Sequence, residues 1–426
     1  MSASRRGAPP CPYLSPHFHP RARGHGLIAA LALALLMGAG GLLAQGELDG
    51  RFRAQAQARS VAALAHAREA LLGYAVSYGE SHAGEGYGYL PCPDAGNNGS
   101  TSLGACGARG LAAVGRLPWR TLTLPDLHDG WGECLWYAVA SSVKHNPKAL
   151  ALNWDSPGQF ALRGDDGRPL RTASADGLAV AVIFAPGPPL DGQHRGSRGS
   201  GPCSGGESAI NDLDAFVDVS ESIALAGVPA FQQGRIGSTV HNDLIAWLGI
   251  DDLFDALRRR SDFAAYLNHI GERALDHLSP RLTDADFIAA HTQETPGGVL
   301  LTGELPPAAA LAIADPAAAA AHDNWRDQFR IAVCADASAC VQFIDSTAPD
   351  SASCRAVLLF GGERIRNGTE QQHRNTPAQR ADIAQYLEGD NPRHFVLGIP
   401  EFHGAPVVAI GDPSHPATQD VIRCLS

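Results

Sequence analysis

The residues of this chain best suited to chemistry by type and spacing are its nine cysteines. Cys11 precedes an apolar segment near the amino terminus, and the other eight all follow that segment. An even number of cysteines on one side of such a segment is typical of an exported protein whose thiols are oxidised to disulfides. The eight candidates are Cys92, Cys106, Cys134, Cys203, Cys334, Cys340, Cys354 and Cys424.

The spacing of these cysteines leaves most of the pairing open, since eight of them allow about a hundred connectivities. We expect Cys92 to pair with Cys106, because the two residues close a loop rich in Gly, Asn and Ser. Scattered free thiols are the alternative. A zinc site is not expected, because no two cysteines have C-x2-C spacing and no histidine pair accompanies them.

The loop that follows Cys92 carries oxygen donors that alternate around glycine, in the run Asp94-Ala-Gly-Asn-Asn-Gly-Ser. Hard oxygen donors are the ligands that calcium prefers. The sequence therefore makes Asp94, Asn97 and Asn98 a weak candidate calcium site. The alternative is an Asx turn beside a disulfide. No other cofactor is expected.

The chain contains none of the enzyme motifs G-x-S-x-G, H-E-x-x-H and G-x-x-x-x-G-K-[ST]. The acids that a hydrolase could use as pairs are Asp126, Asp129 and Glu133, or Asp251 and Asp252. The second pair precedes a helical pattern, where acids cap free N–H groups. We therefore expect no catalytic residue and no enzyme.

The element that should position these residues begins at the amino terminus. Leu27 to Ala44 is an apolar run of 18 residues, about the length that spans a hydrocarbon layer. Only basic residues precede it, namely Arg5, Arg6, Arg21 and Arg23, which favours a cytoplasmic amino end. The sequence predicts a single pass through the inner membrane, with the bulk of the chain periplasmic or extracellular. A cleaved secretory signal is the alternative.

Beyond the apolar run, Arg53 to Tyr78 reads as an amphipathic helix, because apolar residues recur at three- and four-residue steps. Together the two segments predict one long stalk helix over 27–80. A generic membrane tether would show the same periodicity.

The charge of the chain constrains its partners. The formal net charge is −11, and removing the four amino-terminal arginines lowers it by four, to −15. An acidic exported part disfavours nucleic acid as a partner. With 45% hydrophobic residues, 47 glycines and 29 prolines, the sequence predicts a folded, loop-rich protein.

Several blocks of sequence carry a resemblance to a known family. A basic leader that ends in glycine precedes the apolar helix, and three further blocks follow: Leu90-Pro-Cys-Pro-Asp94, Gly115-Arg-Leu-Pro-Trp-Arg-Thr-Leu122 and Asp129-Gly-Trp-Gly-Glu-Cys-Leu-Trp-Tyr-Ala-Val139. From residue 25 to about residue 255 the chain resembles type IV prepilins and type II secretion pseudopilins. One departure marks it as a minor or atypical member: the glutamate at the fifth mature position of major pilins is replaced here by Ala29 or Leu31.

This resemblance implies cleavage by prepilin peptidase after Gly24 or Gly26, so that the cut involves Gly24, His25, Gly26 and Leu27. It also implies that the helix is retained and packs against other pilin or pseudopilin subunits. Pseudopilins of type II secretion can bind calcium in a loop, so the resemblance agrees with the candidate calcium site at Asp94.

The fold that the resemblance implies is α+β. A long transmembrane and amphipathic helix would pack on an antiparallel-sheet head. The recurrence of segments in the later half of the chain adds a second, smaller α+β unit. The expected domains are a basic leader (1–26), a stalk helix (27–80), a pilin-like head (81–252), a helical connection with an Ala/Pro-rich spacer (253–322) and a second strand-rich unit (323–426).

The second unit is a possible repeat of the head, because three segments recur in order. The matched pairs are Asp129–Val139 with Asp323–Val333, Ala181–Phe184 with Ala356–Phe360, and His241–Asp251 with His403–Asp412. Chance similarity of hydrophobic strands is the alternative.

The function that follows is that of a minor pilin-like or pseudopilin-like envelope subunit. It would act in assembly of a pilus or secretion filament, in tip display or in adhesion. The alternative is a membrane-tethered periplasmic module that binds a ligand or hydrolyses a substrate, unrelated to filaments.

Overall fold

The structure is a computed structural model that describes residues 23–101, 104, 106–197, 201–206, 213–218, 227–235, 237–366, 371–409 and 420–426. Within the first helix it does not describe the side chains of residues 23–30 and 36–47. Residues 1–22, which form most of the predicted leader and include Cys11, lie outside the described residues. The chain divides into two compact units, Met1–Gln55 and Ala56–Ser426.

The described residues form seven α-helices. They are α1 (Arg23–Ser81), α2 (Ile250–Leu257), α3 (Ser261–Leu278), α4 (Ala285–His291), α5 (Pro316–Trp325), α6 (Pro377–Ala381) and α7 (Asn391–Leu397).

Fifteen strands accompany these helices in the described part of the chain. They are β1 (Ala113–Arg116), β2 (Trp136–Val139), β3 (Ala161–Arg163), β4 (Pro169–Leu170), β5 (Ala181–Ala185), β6 (Ala230–Gln232), β7 (Leu244–Leu248), β8 (Gln293–Glu294), β9 (Leu300–Glu304), β10 (Phe329–Cys334), β11 (Val341–Asp345), β12 (Ser351–Cys354), β13 (Ala356–Phe360), β14 (Glu401–Gly404) and β15 (Val421–Leu425).

The part of α1 that belongs to the second unit is amphipathic, as its periodicity predicts. Leu64, Ala67, Leu71 and Ala75 recur at steps of three and four residues, and all four are buried in the main core. Charged side chains such as Arg59 lie on the exposed face. This stretch of α1 is therefore held by packing rather than by helix propensity alone.

The first sheet has the strand order β1-β2-β5-β7, and every neighbouring pair is antiparallel. The turn that precedes β2 approaches α1 closely. Gly130 donates its backbone N–H to the hydroxyl of Ser60 at 2.9 Å, and a Cβ at position 130 would lie 1.9 Å from the carbonyl oxygen of Ala56. Only glycine fits at this contact between the turn and the helix.

The second sheet has the order β15-β13-β10-β9-β8. Its run β9-β10-β13-β15 is antiparallel throughout and has the same sequential order as the first sheet. The pairing of Val139 with Ala181 in the first sheet corresponds to that of Val333 with Ala356 in the second. Two of the three matched segments thus lie on corresponding strands.

The third pair of matched segments does not lie on corresponding strands. His403 lies in β14, which pairs in parallel with β11 in a separate sheet of order β12-β11-β14. The strand that completes the second sheet is β15 instead. The repeat as a whole stays a prediction.

Two cores cover the second sheet, because alternate residues of a strand face opposite sides. Ile331, Val333 and Leu358 face the main core, which also contains the first sheet and α3. Ala332 and Val357 face a smaller core between the second sheet and β11 and β14. Strands β8 and β9 fall within 253–322, the segment predicted as a connection, so the second sheet draws on residues before 323.

The predicted fold class requires a correction. Both the sequence and the structure indicate α+β, but among the described residues no helix combines the length and the apolar character needed to cross a membrane. Where side chains of α1 are described from Leu48 onward, Asp49, Arg51 and Arg53 follow within about two turns, and such charges are costly in hydrocarbon. This finding contradicts the predicted transmembrane helix and the predicted single-pass location in the inner membrane.

A buried polar cluster joins residues from the two halves of the chain. Arg374 is fully buried and donates from Nη1 to Oδ2 of Asp155 at 3.2 Å and to Oε1 of Gln328 at 2.8 Å. Gln328 in turn donates to Asp155 Oδ2 at 2.8 Å and accepts from Nε1 of Trp154 at 2.9 Å. Since Asp155 precedes β3 and Gln328 precedes β10, the cluster connects the two halves of the core.

A second buried acid accepts hydrogen bonds beside the smaller core. Asp420 is 2% exposed and accepts through Oδ2 from Nδ2 of Asn391 at 2.7 Å and from the backbone N–H of Glu388 at 3.0 Å. No arginine or lysine forms an ion pair with it among the described residues. Burial raises the pKa of Asp420 to about 7.

We expect Arg374→Met to destabilise the protein by about 3–5 kcal/mol, because it leaves the carboxylate of Asp155 buried without its cation. Urea unfolding would measure the change. Arg168→Met is the matched control, since the side chain of Arg168 is 86% exposed, and it should change the free energy of unfolding by less than about 0.5 kcal/mol. Equal stability of both variants would contradict the role given to the cluster.

We expect Asp420→Asn to flatten the pH dependence of stability. The folded-state pKa of Asp420 lies above the unfolded value of about 3.9, so its protonated form contributes stability at low pH. That contribution is lost as pH rises through about 7, by an amount on the order of 4 kcal/mol. Thermal unfolding from pH 4 to pH 8 would measure it. Asp350→Asn, at an exposed position, should leave the profile unchanged; an unaltered profile for Asp420→Asn would refute the expectation.

Candidate functional site

The prediction of disulfide bonds is confirmed, and all eight cysteines after the apolar segment take part. The pairs are Cys92–Cys106, Cys134–Cys203, Cys334–Cys340 and Cys354–Cys424. The first pair is the one that loop composition favoured. The others join residues whose proximity comes from the sheets, which spacing alone could not identify.

The Cys92–Cys106 loop is held by a lysine that sequence reasoning missed. Lys144 is fully buried, and its Nζ donates to the backbone carbonyls of Cys106, Ala108 and Leu111 at 2.9, 2.8 and 2.7 Å. All three hydrogens of the ammonium group are thereby used. Lys144 therefore orders the loop and offers no proton donor to a ligand.

The calcium candidate lies in the same region, and its donors already have partners. Oδ1 of Asp94 accepts from the N–H of Gly96 at 2.9 Å, while Oδ2 accepts from those of Asn98 and Gly99 at 3.0 and 2.7 Å. The amide of Asn97 bonds both the N–H and the carbonyl of Cys203. This geometry favours the Asx-turn alternative, in which the carboxylate caps backbone groups. A calcium site here stays a prediction.

Most of the acids considered for a hydrolase accept hydrogen bonds from backbone N–H groups or pair with arginines, and Asp126 lies 3.7 Å from Nε2 of His128. Asp129 accepts from the N–H groups of Trp131, Glu133 and Gly187. Asp251 accepts from Arg364 at 2.7 Å, and burial raises its pKa to about 6.

Asp252 caps α2 through the N–H of Gly249 at 2.7 Å and accepts from Arg68 at 2.9 Å. The expectation that the protein is not an enzyme stays a prediction.

Within the described residues, one group of metal-type donors comes together: Asp126, His128 and Cys134 lie within 4.8 Å of one another. Cys134 is bonded to Cys203, so it has no thiolate to offer a metal. The remaining two side chains are too few for a site of the zinc type.

The residues of the predicted processing site, Gly24, His25, Gly26 and Leu27, lie in the first turns of α1 by their backbone. Their side chains lie outside what the structure describes. Cleavage there stays a prediction.

The amino-terminal unit exposes large apolar side chains along α1. Leu33 is 59% exposed, Leu35 72% and Phe52 58%. Leu31 and Leu48 are exposed as well. Exposed apolar residues on a folded protein are normally scattered singly, so five of them on one helix are a feature that the proposed function should explain.

A polar cleft is the second feature that sequence reasoning did not find. It has a volume of about 620 Å³ and lies at the end of the second sheet that β8 and β9 form. Arg326 and Arg330 line it. One feature of the sequence could have indicated the cleft. When Asp129–Val139 is aligned with Asp323–Val333, the two arginines replace Gly132 and Trp136 of the earlier segment.

The blocks that carry the family resemblance are structural. Leu90 and Cys92 are fully buried, and Asp94 is 1% exposed. Trp136 and Tyr137 form the buried centre of the first sheet. These residues position the head and do not form a surface that a ligand could reach. No protein-family model, curated protein or solved structure matches the chain.

We expect removal of the Cys354–Cys424 disulfide to cost more than removal of Cys334–Cys340, although both lie in the smaller core. The first bond links residues 70 positions apart and the second only 6. In the chain-entropy model these loops correspond to about 4 and about 2 kcal/mol. Urea unfolding of the two double Cys→Ala variants would measure the difference, and a reversed order would contradict the loop-length account.

Proposed function

We propose that this protein is a structural subunit of an extracytoplasmic assembly, of the kind represented by minor pilins and pseudopilins, and that α1 joins it to neighbouring subunits. The observation that carries the proposal is the set of large apolar side chains exposed on α1. Burying a leucine or phenylalanine side chain contributes about 1.5–3 kcal/mol. A few such contacts between helices supply the driving force for association.

The disulfides support an extracytoplasmic place of action. Four bonds in one chain are typical of an oxidising compartment and rare in the cytosol. They also suit a subunit that must keep its shape outside the cell, where neither chaperones nor reductants restore it.

The resemblance of the blocks at 90–94, 115–122 and 129–139 to pilin-like proteins supports the same proposal. In this chain those blocks build the sheet and its contact with α1. A folded domain built in this way offers its surface for contacts with other proteins. Tip display, adhesion and priming of a filament all depend on such contacts.

The proposal predicts that Leu48→Ser combined with Phe52→Ser abolishes association. Both residues are exposed and lie in the amino-terminal unit, so the unfolding of Ala56–Ser426 should not change. Photo-crosslinking of the full chain in its own cells, with the crosslinker at position 55 of the same helix, would detect adducts to a second copy or to another subunit with an apolar amino-terminal helix.

Gln57→Ser with Arg53→Ser is the matched control, because both residues are exposed polar positions of the same helix, and its adducts should persist. Mass spectrometry of the mature amino terminus distinguishes the two candidate functions. A cut after Gly24 or Gly26 supports a pilin-like subunit that keeps α1. A cut after Ala44, or adducts unaffected by the double serine variant, would contradict it.

A further inference from the structure

The polar cleft at the end of the second sheet has the construction of a ligand site. The pairing register places its side chains together: Gln293 lies opposite Thr302, and Glu304 lies opposite Arg330. Thr302 and Glu304 are two residues apart in β9, so they lie on the same face of the sheet. This face is apolar where it covers the smaller core and becomes polar at the cleft.

Arg330 is held rigidly at the wall of the cleft. The residue is 5% exposed, and its guanidinium group lies 4.3 Å from the ring centroid of Tyr386. Its Nη1 donates to the backbone carbonyls of Asp327 and Phe329 at 2.8 and 2.9 Å. The plane and the direction of the guanidinium are thus fixed before any ligand arrives.

The other edge of this guanidinium has no partner within the protein. Among the described residues, no acceptor bonds Nε or Nη2 of Arg330. These two nitrogens form the edge that binds a carboxylate through two parallel hydrogen bonds. Arg330 is thus a buried cation that lines the cleft and whose Nε–Nη2 edge is left unbonded by the described residues, which is the arrangement of an anion-binding group.

Arg326 adds a second cation to the same cleft. It follows α5 at its carboxyl end, is half-buried, and forms no ion pair with any residue that the structure describes. Arg326 and Arg330 are thus two arginines on one wall, in a chain whose net charge is −11. The one acid that faces them from β9 is Glu304, which is exposed.

The remaining lining suits hydroxyl groups rather than a bare inorganic anion. Gln293 and Thr302 offer donors and acceptors, and Glu304 accepts from hydroxyls. Phe395 supplies an apolar wall. A volume of about 620 Å³ accommodates one or two sugar rings, within the range of small-ligand sites.

We propose that this cleft binds a carboxylate-bearing sugar of the uronic acid type. The carboxylate docks on the Nε–Nη2 edge of Arg330, with Arg326 as the second cation. The ring hydroxyls bond Thr302, Gln293 and Glu304. The site lies wholly within Ala56–Ser426, so this proposal does not depend on α1 or on the assembly proposed above.

Isothermal titration of the full chain with D-glucuronate, and with D-glucose as the neutral match, tests the proposal. We expect saturable binding of glucuronate and affinity at least about tenfold lower for glucose, since a charge-assisted bidentate contact is lost. If the natural ligand is part of a polymer, a glucuronate oligosaccharide should bind at least as tightly as D-glucuronate itself. If the natural ligand is the free sugar, the oligosaccharide should bind less tightly.

Arg326→Gln keeps the test independent of folding, because Arg326 has no ion pair among the described residues and its loss should leave unfolding unchanged. It should weaken glucuronate binding by about tenfold, and Arg330→Gln should abolish it. Arg168→Gln, far more exposed, should change nothing. Absence of saturable glucuronate binding, equal affinity for glucose or for sulfate, or no effect of Arg326→Gln would overturn the proposal.

Discussion

The fold of Ala56–Ser426 depends on one buried contact, the guanidinium of Arg374 against Asp155 and Gln328. A fully buried cation is tolerated only when nearly all its donors are bonded. Arg374 meets this condition by also donating to the carbonyls of Gly361, Gly362 and Gln385. Its partners come from both halves of the chain, so displacing one half from the other would leave a buried charge without its partner.

That constraint explains why helices are placed as they are. The carboxyl-terminal part of α1 covers the first sheet, and α3 packs between the main core and β13 and β15. Each sheet thus has a helix against its inner face, and the main core fills the space between. The second sheet alone needs a further core on its outer face, which β11, β14 and α7 supply. The polar cleft forms where this outer cover ends.

Much of this arrangement follows from local sequence. The amphipathic pattern of 53–78, the strand at 136–139 and the Cys92–Cys106 loop are each specified by residues close in the chain. The strand that completes the second sheet is not. If 403–412 repeated 241–251 in full, β14 would pair with β13 as β7 pairs with β5, whereas the structure pairs β13 with β15. A parallel pairing with β11 depends on residues about sixty positions earlier, and no local pattern encodes that.

The cleft was hidden from sequence for a different reason. Arg326 and Arg330 look like ordinary surface residues of an amphipathic strand, and only Tyr386 and the backbone carbonyls reveal that Arg330 is buried. The apolar run at 27–44 shows the converse. Length and hydropathy alone favoured a membrane span there, whereas no helix of the described residues has both the length and the apolar character to cross a membrane.

The Cys354–Cys424 bond has a mechanical consequence. Strand β15 is an edge strand of the second sheet, so tension applied along it would separate it from β13 one hydrogen-bonded pair after another. The covalent link fastens that strand to the end of β12. A force on β15 would then be carried by the disulfide into β12 as well as by the hydrogen bonds to β13.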